Sequence, residues 1–117
     1  MDAPLDPSTL ESLRRIKGSH GGTLLDQVIP LALELLPDHL ENLRRHRTED
    51  AWGDLQRLAH SLKGPGGTFG ARGLTTCARA LEEAARAGDG PRTDRALADL
   101  ESEAARVHAA LRALQSV

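Results

Sequence analysis

Leu97, Leu100, Ala104, Val107, Leu111 and Leu114 follow one another at spacings of 3-4-3-4-3, while no stretch of the chain alternates apolar and polar residues long enough to argue a strand. Steps of three and four residues line one face of an α-helix, and a seam of that period is what a bundle helix buries against its neighbours. The same signature recurs upstream. Leu74, Cys77, Ala78, Leu81 and Ala85 share one face, as do Leu55, Leu58, Ala59, Leu62 and Phe69, and a long run carries Leu25, Val28, Ile29, Ala32, Leu36, Leu40 and Leu43. The chain is therefore read as all-α, an antiparallel four-helix bundle with an additional short N-terminal helix. Its 117 residues make one domain spanning 1–117, with 1–6 and the last few residues expected to be loose.

Local signals place the helix ends. Pro7 to Lys17 reads as the short first helix, with Ser8 as N-cap and Glu11 three residues on. Gly18 to Gly22 interrupts it, and Thr23 with Asp26 forms the next capping box. Pro30 and Pro37 each delete a backbone donor from the second helix, so a bend is expected, or a start as late as Pro30. His46 to Asp50 is a turn with Thr48 or Asp50 as cap, and the third helix runs from Ala51 toward Phe69. Pro65 removes the bond to the carbonyl of Ser61 and disfavours helical geometry at Gly64, so this helix should kink or stop there. Gly70 to Gly73 and Ala87 to Pro91 are the remaining breaks.

The third helix displays one histidine in an unusual setting. At about 100° per residue from Trp52, the apolar stripe falls between roughly 240° and 340°, and His60 falls near 80° on the opposite side. Gln56, Lys63 and Gly53 lie beside it, joined by Gly64 and, if the helix continues past Pro65, Gly67. Glycine inside a helix costs about 0.5 to 1 kcal/mol relative to alanine, so a glycine-lined face needs a reason other than stability. Without Cβ atoms beside it, an imidazole can be reached by the active site of another protein. Gly64 and Gly67 are accordingly read as docking residues. Lys63, one turn on, suits an anionic group carried on the ring, and phosphoryl is the anion a histidine nucleophile most naturally carries.

Composition narrows the alternatives. A net charge of −2 and only two aromatics, Trp52 and Phe69, leave neither a basic stripe nor stacking rings for nucleic acid. Cys77 is alone, so no internal disulfide forms, in keeping with a cytoplasmic setting; it sits on the core stripe and reads as packing. No leader peptide is visible, and no apolar run approaches the roughly 20 residues a membrane span needs. His20, His39, His46 and His108 show no ligand spacing with a carboxylate or cysteine; they read as solvated, with no metal site.

The segment His60-Ser61-Leu62-Lys63-Gly64, the Gly67-Thr68-Phe69-Gly70 that follows, Leu74, Cys77 and the run Leu81 to Arg86 resemble the histidine phosphotransfer (HPt) domains of bacterial and fungal phosphorelays. Leu5-Asp6-Pro7 to Leu13 and the leucine-rich Leu31 to Leu43 extend the likeness to the first helices of HPt modules attached to hybrid sensor kinases. The resemblance implies that His60 is the phosphoacceptor, reacting through Nε2. It also implies that Glu82 stands near the ring, where such domains commonly put glutamine or glutamate, to fix the tautomer; Gln56 competes for that role. Arg86 is read as bordering the docking surface. Pro65 departs from the small polar or alanine residue common in the family.

The implied partners are response-regulator receiver domains and a hybrid sensor histidine kinase. The chain itself is expected to be a monomer with no cofactor, Mg²⁺ coming from the receiver. Ser61 follows the histidine where sensor-kinase dimerisation domains place an acidic base, and no nucleotide-binding glycine box appears, so the module is expected to lack kinase machinery. The front domain of chemotaxis kinases shows a similar stretch, making phosphorylation by a separate ATP-binding domain an alternative. A non-catalytic helical interaction domain and dimerisation through the last helix are the others.

Overall fold

The computed structural model describes residues 3–115. Six helices follow in order: α1 (Pro7–Arg15), α2 (Leu24–Thr48), α3 (Trp52–Ser61), α4 (Lys63–Thr68), α5 (Arg72–Arg86) and α6 (Gly90–Gln115). Only Leu62 separates α3 from α4, so the two form one bent rod. Packing closes a ring, α2 on α3, α3 on α5, α5 on α6 and α6 on α2, with α1 laid against α2. Arg44 pairs with Glu101 and Arg47 with Asp94, so α2 and α6 run antiparallel. This is an all-helical bundle of four rods with a short helix added at the N-terminus.

Helix starts follow the chemistry of their caps. The Thr23 hydroxyl accepts from the Asp26 amide at 3.2 Å while the Asp26 carboxylate accepts from the Thr23 amide at 3.1 Å, the reciprocal box its sequence indicated. Helix α1 is capped by Asp6 rather than Ser8: Pro7 takes the first helical position, so the Asp6 carboxylate accepts from the Ser8 amide at 3.2 Å. Thr48 lies inside α2, its hydroxyl donating to the Arg44 carbonyl, and Ala51 opens α3 without a side-chain cap. Helix α2 runs unbroken through Pro30 and Pro37, both of which are exposed.

The break expected at Pro65 falls at Leu62, two residues after the histidine. Leu62 carries helical angles but its amide bonds only three residues back, to Ala59, and Lys63 begins a fresh helix. Pro65 thereby sits in a first turn, where a missing amide costs little.

The core runs the length of the ring. Leu43, Leu55, Leu62, Leu74, Leu81, Leu100, Leu111 and Val107 are fully buried. Trp52, Leu58, Cys77 and Leu114 are only partly buried around its edge. Looseness was expected over 1–6, but Leu5 is buried in this core and the Asp6 amide donates to the Phe69 carbonyl at 3.4 Å. Met1 and Asp2 lie outside the described residues, as do the last two positions. The turn that receives this segment depends on Gly70, whose φ of 64° and close contact with Asp6 and Thr9 leave no place for a side chain.

Candidate functional site

Helices α3 and α5 lie antiparallel and bring His60 to Glu82. His60 sits on the outer face of α3 with 69% of its side chain exposed, while the side chain of Glu82 is only 8% exposed. The Glu82 Oε2 accepts a hydrogen bond from the His60 Nδ1 at 2.7 Å. Lys63 also reaches inward: its Nζ donates to Oε1 at 3.1 Å and lies 3.0 Å from Oε2. Arg86, one turn along α5, donates to Oε1 at 3.4 Å. One buried carboxylate thus gathers three donors.

Burial pushes the Glu82 carboxyl upward, but the hydrogen bonds from Lys63 and His60, with the charges behind them, outweigh burial and hold it below the ordinary value. Ionised, the carboxylate only accepts, so Nδ1 carries the ring hydrogen. The lone pair of the imidazole is then on Nε2, which makes no hydrogen bond among the described residues. The ring is oriented from beneath and open above.

The surroundings of His60 are bare in the way its wheel position suggested. A Cβ built on Gly64 or Gly67 would meet nothing within 4 Å, and Gly53 would meet only the end of Arg57 at 3.5 Å. Gln56 is half-buried one turn before the histidine and makes no hydrogen bond to it. Arg86 is exposed at the edge of the site. Lys63 is held by Glu82 instead of standing free beside the ring.

Sequence reasoning passed over Gly66. It is buried where α4 crosses α5, and a Cβ there would collide with Oγ1 of Thr75. The glycines of this segment read as an open face, and nothing in their order singles out the one that touches a neighbouring helix. The reading of the remaining histidines as solvated holds for His20, which is exposed. His39 is half-buried with Nδ1 at 2.9 Å from the Leu35 carbonyl, and the Nδ1 of His46 is buried without a partner.

A sequence profile of the Hpt domain matches residues 27–116. The chain belongs to the Hpt family. Hpt proteins are phosphocarriers of phosphorelays, working with two-component receiver domains or kinases. The crystal structure of histidine-containing phosphotransfer protein B from Pseudomonas aeruginosa PAO1 aligns with a TM-score of 0.87, covering 99% of this chain and 97% of that one at 23% sequence identity. At that identity the likeness speaks for the fold. No sequence among the curated proteins matches this chain. No helix of this Hpt domain is long and apolar enough, among the described residues, to cross a membrane.

Proposed function

We propose that this Hpt domain accepts a phosphoryl group from the aspartyl phosphate of a receiver domain onto Nε2 of His60 and passes it to another receiver aspartate. The observation that carries this reading is the His60 to Glu82 hydrogen bond, which supports Nε2 as the free nucleophile on a 69% exposed side chain. Nε2 attacks phosphorus in line, the bond to the aspartyl oxygen breaks, and the aspartate leaves as a carboxylate. The ring then bears phosphorus on one nitrogen and hydrogen on the other, so it gains positive charge. Glu82 compensates that charge without moving.

The divalent cation that in-line transfer requires comes from the receiver. Glu82 is the carboxylate beside His60, and its oxygens are already engaged by Lys63, His60 and Arg86. Gly64 and Gly67 let the receiver approach, and Lys63 turns toward the phosphoryl group once it is in place. The domain is a carrier, acting as a monomer in the cytoplasm.

Incubation with phosphorylated receiver domains tests the reading. Label that is acid-labile, base-stable and absent from His60→Gln is the expected result; label retained in that variant would overturn the assignment.

A further inference from the structure

Helix α5 carries arginine at 72, 79 and 86, two steps of seven residues. Seven residues turn a helix through nearly two full turns, drifting only about 20°, so the three side chains form one line roughly 21 Å long. All three are exposed. Glu82 falls between Arg79 and Arg86 and points to His60, so the line passes directly beside the phosphotransfer site. At its start the line does not serve the helix. Arg72 occupies the first turn of α5, where a cation opposes the helix dipole and no acidic residue offsets it.

Two of the three arginines are short of counter-charge. Arg86 pairs with Glu82, whereas Arg72 and Arg79 are in no ion pair among the described residues, a state they share with the exposed Arg45, Arg92 and Arg95. Arg79 has no carboxylate within ion-pair distance among the described residues, and Arg72 acts on Asp6 only as a distant charge. Beside the line, Glu82 is engaged by His60, Lys63 and Arg86, while Glu83 is exposed and in no ion pair among the described residues. Between Arg72, Arg79 and helix α4 lies a groove of about 320 Å³, floored by Gly66, Gly67 and Gly70 and bordered by Thr75. No side chain from α4 closes it.

We infer that Arg72, Arg79 and Arg86 form a basic rail that takes carboxylates on the rim of the docking receiver, with Arg72 and Arg79 setting partner choice and orientation. The inference rests on the proposed transfer from a receiver. A receiver must bring clustered carboxylates to hold its metal, so its face is acidic where it meets His60. Guanidinium groups over a side-chain-free groove suit such groups, since the fork of arginine pairs bidentately with a carboxylate. The overall charge of −2 gives no general pull on polyanions, so the attraction is local to this face.

The test compares wild type with Arg72→Glu/Arg79→Glu, and with Arg92→Glu/Arg95→Glu, which makes the same charge change on exposed positions of α6. The probes are the phosphorylated receiver domains encoded in the same genome, each assayed at low and at high salt, with direct phosphorylation of His60 by phosphoramidate alongside. We expect the α5 variant to lose about tenfold or more in kcat/KM, mostly through KM, with the gap narrowing in salt. The α6 variant should stay within about twofold, and phosphoramidate labelling should be unchanged in both. The milder Arg72→Gln/Arg79→Gln should lose about threefold, separating lost attraction from new repulsion or misfolding. Equal losses on α5 and α6, or none on α5, overturn the rail while leaving transfer intact. Wild type that takes phosphoryl from phosphoramidate but from no receiver overturns the transfer reading, and the rail with it.

Discussion

The ammonium of Lys63 lies 3.0 Å from Oε2 and 3.1 Å from Oε1 of Glu82, straddling the carboxylate that also holds His60. Lys63 neutralises a buried charge. Under the transfer proposed above, a dianionic group on the ring would compete for it, so the two tasks would exclude each other in time. Arg86, at 3.4 Å from the same carboxylate, is placed to remain behind.

Removing Lys63 should raise the Glu82 carboxyl. Burial is the largest influence on that group and pushes upward, and Lys63 is the first of the contacts that oppose it. In Lys63→Met the carboxyl resonance of Glu82, followed by NMR against pH, should titrate higher than in wild type, with a stability loss of about 1 to 3 kcal/mol. An unmoved midpoint would mean that His60 and Arg86 alone hold the charge.

Stability against pH carries the same signature. A carboxyl that is more acidic in the folded state binds its proton less readily there than in the unfolded chain, whose reference value is 4.5. Its contribution is complete above the unfolded value and is lost as pH falls through the lower folded one. Urea unfolding of wild type and Glu82→Gln should therefore diverge at about pH 6 to 7 and converge toward about pH 3. Parallel curves would show that the carboxylate adds nothing to folding. The same variant should slow phosphotransfer by about tenfold or more, since a neutral amide no longer balances the phosphorylated ring.

The glycines near the site should separate cleanly. Gly66→Ala drives a Cβ into Oγ1 of Thr75, a stiff β-branched side chain whose hydroxyl is bonded to the Ala71 carbonyl, and should cost about 1 to 3 kcal/mol. Gly66→Ala in a Thr75→Ala background should recover much of that loss. Gly64→Ala meets open space and should stabilise by about 0.5 to 1 kcal/mol, whereas Gly64→Leu should keep the fold and slow transfer from a receiver. Thermal melts and transfer rates on the same four proteins check this.

These residues also mark where the amino-acid order was readable and where it was not. The 3-4 spacing put Leu55, Ala59 and Leu62 inside and His60 outside because each fact belongs to one helix and follows from its period alone. The break near Pro65 was equally local. The difference between Gly66 and Gly67 depends on Thr75 of another helix, and the burial of Glu82 but not of Glu83 depends on the register of α5 against α3. Asp6 and Ser8 are both good caps, and the choice between them fell to Pro7. Leu5 was expected to be loose because its anchor, the core beside Phe69, is more than sixty residues away in the chain.

At the far end of the bundle, Arg47 staples the α2 to α3 turn to α6. Its guanidinium meets Asp94 and Asp50 at 2.7 Å each and stacks over the Trp52 ring with its carbon 5.1 Å from the centroid. Both carboxylates are well exposed, so each ion pair alone contributes little, but one planar fork serving two anions and a ring loses less freedom for each contact. Arg47→Lys keeps the charge and loses the fork. It should cost about 1 kcal/mol, a fall in melting temperature of roughly 3 to 6 °C, nearly as much as Arg47→Ala. Transfer at His60 should be unaffected, because neither partner of Arg47 touches the phosphotransfer face. A lysine variant as stable as wild type would reduce the staple to charge alone, and a loss of transfer would show that this end of the bundle sets the position of α3.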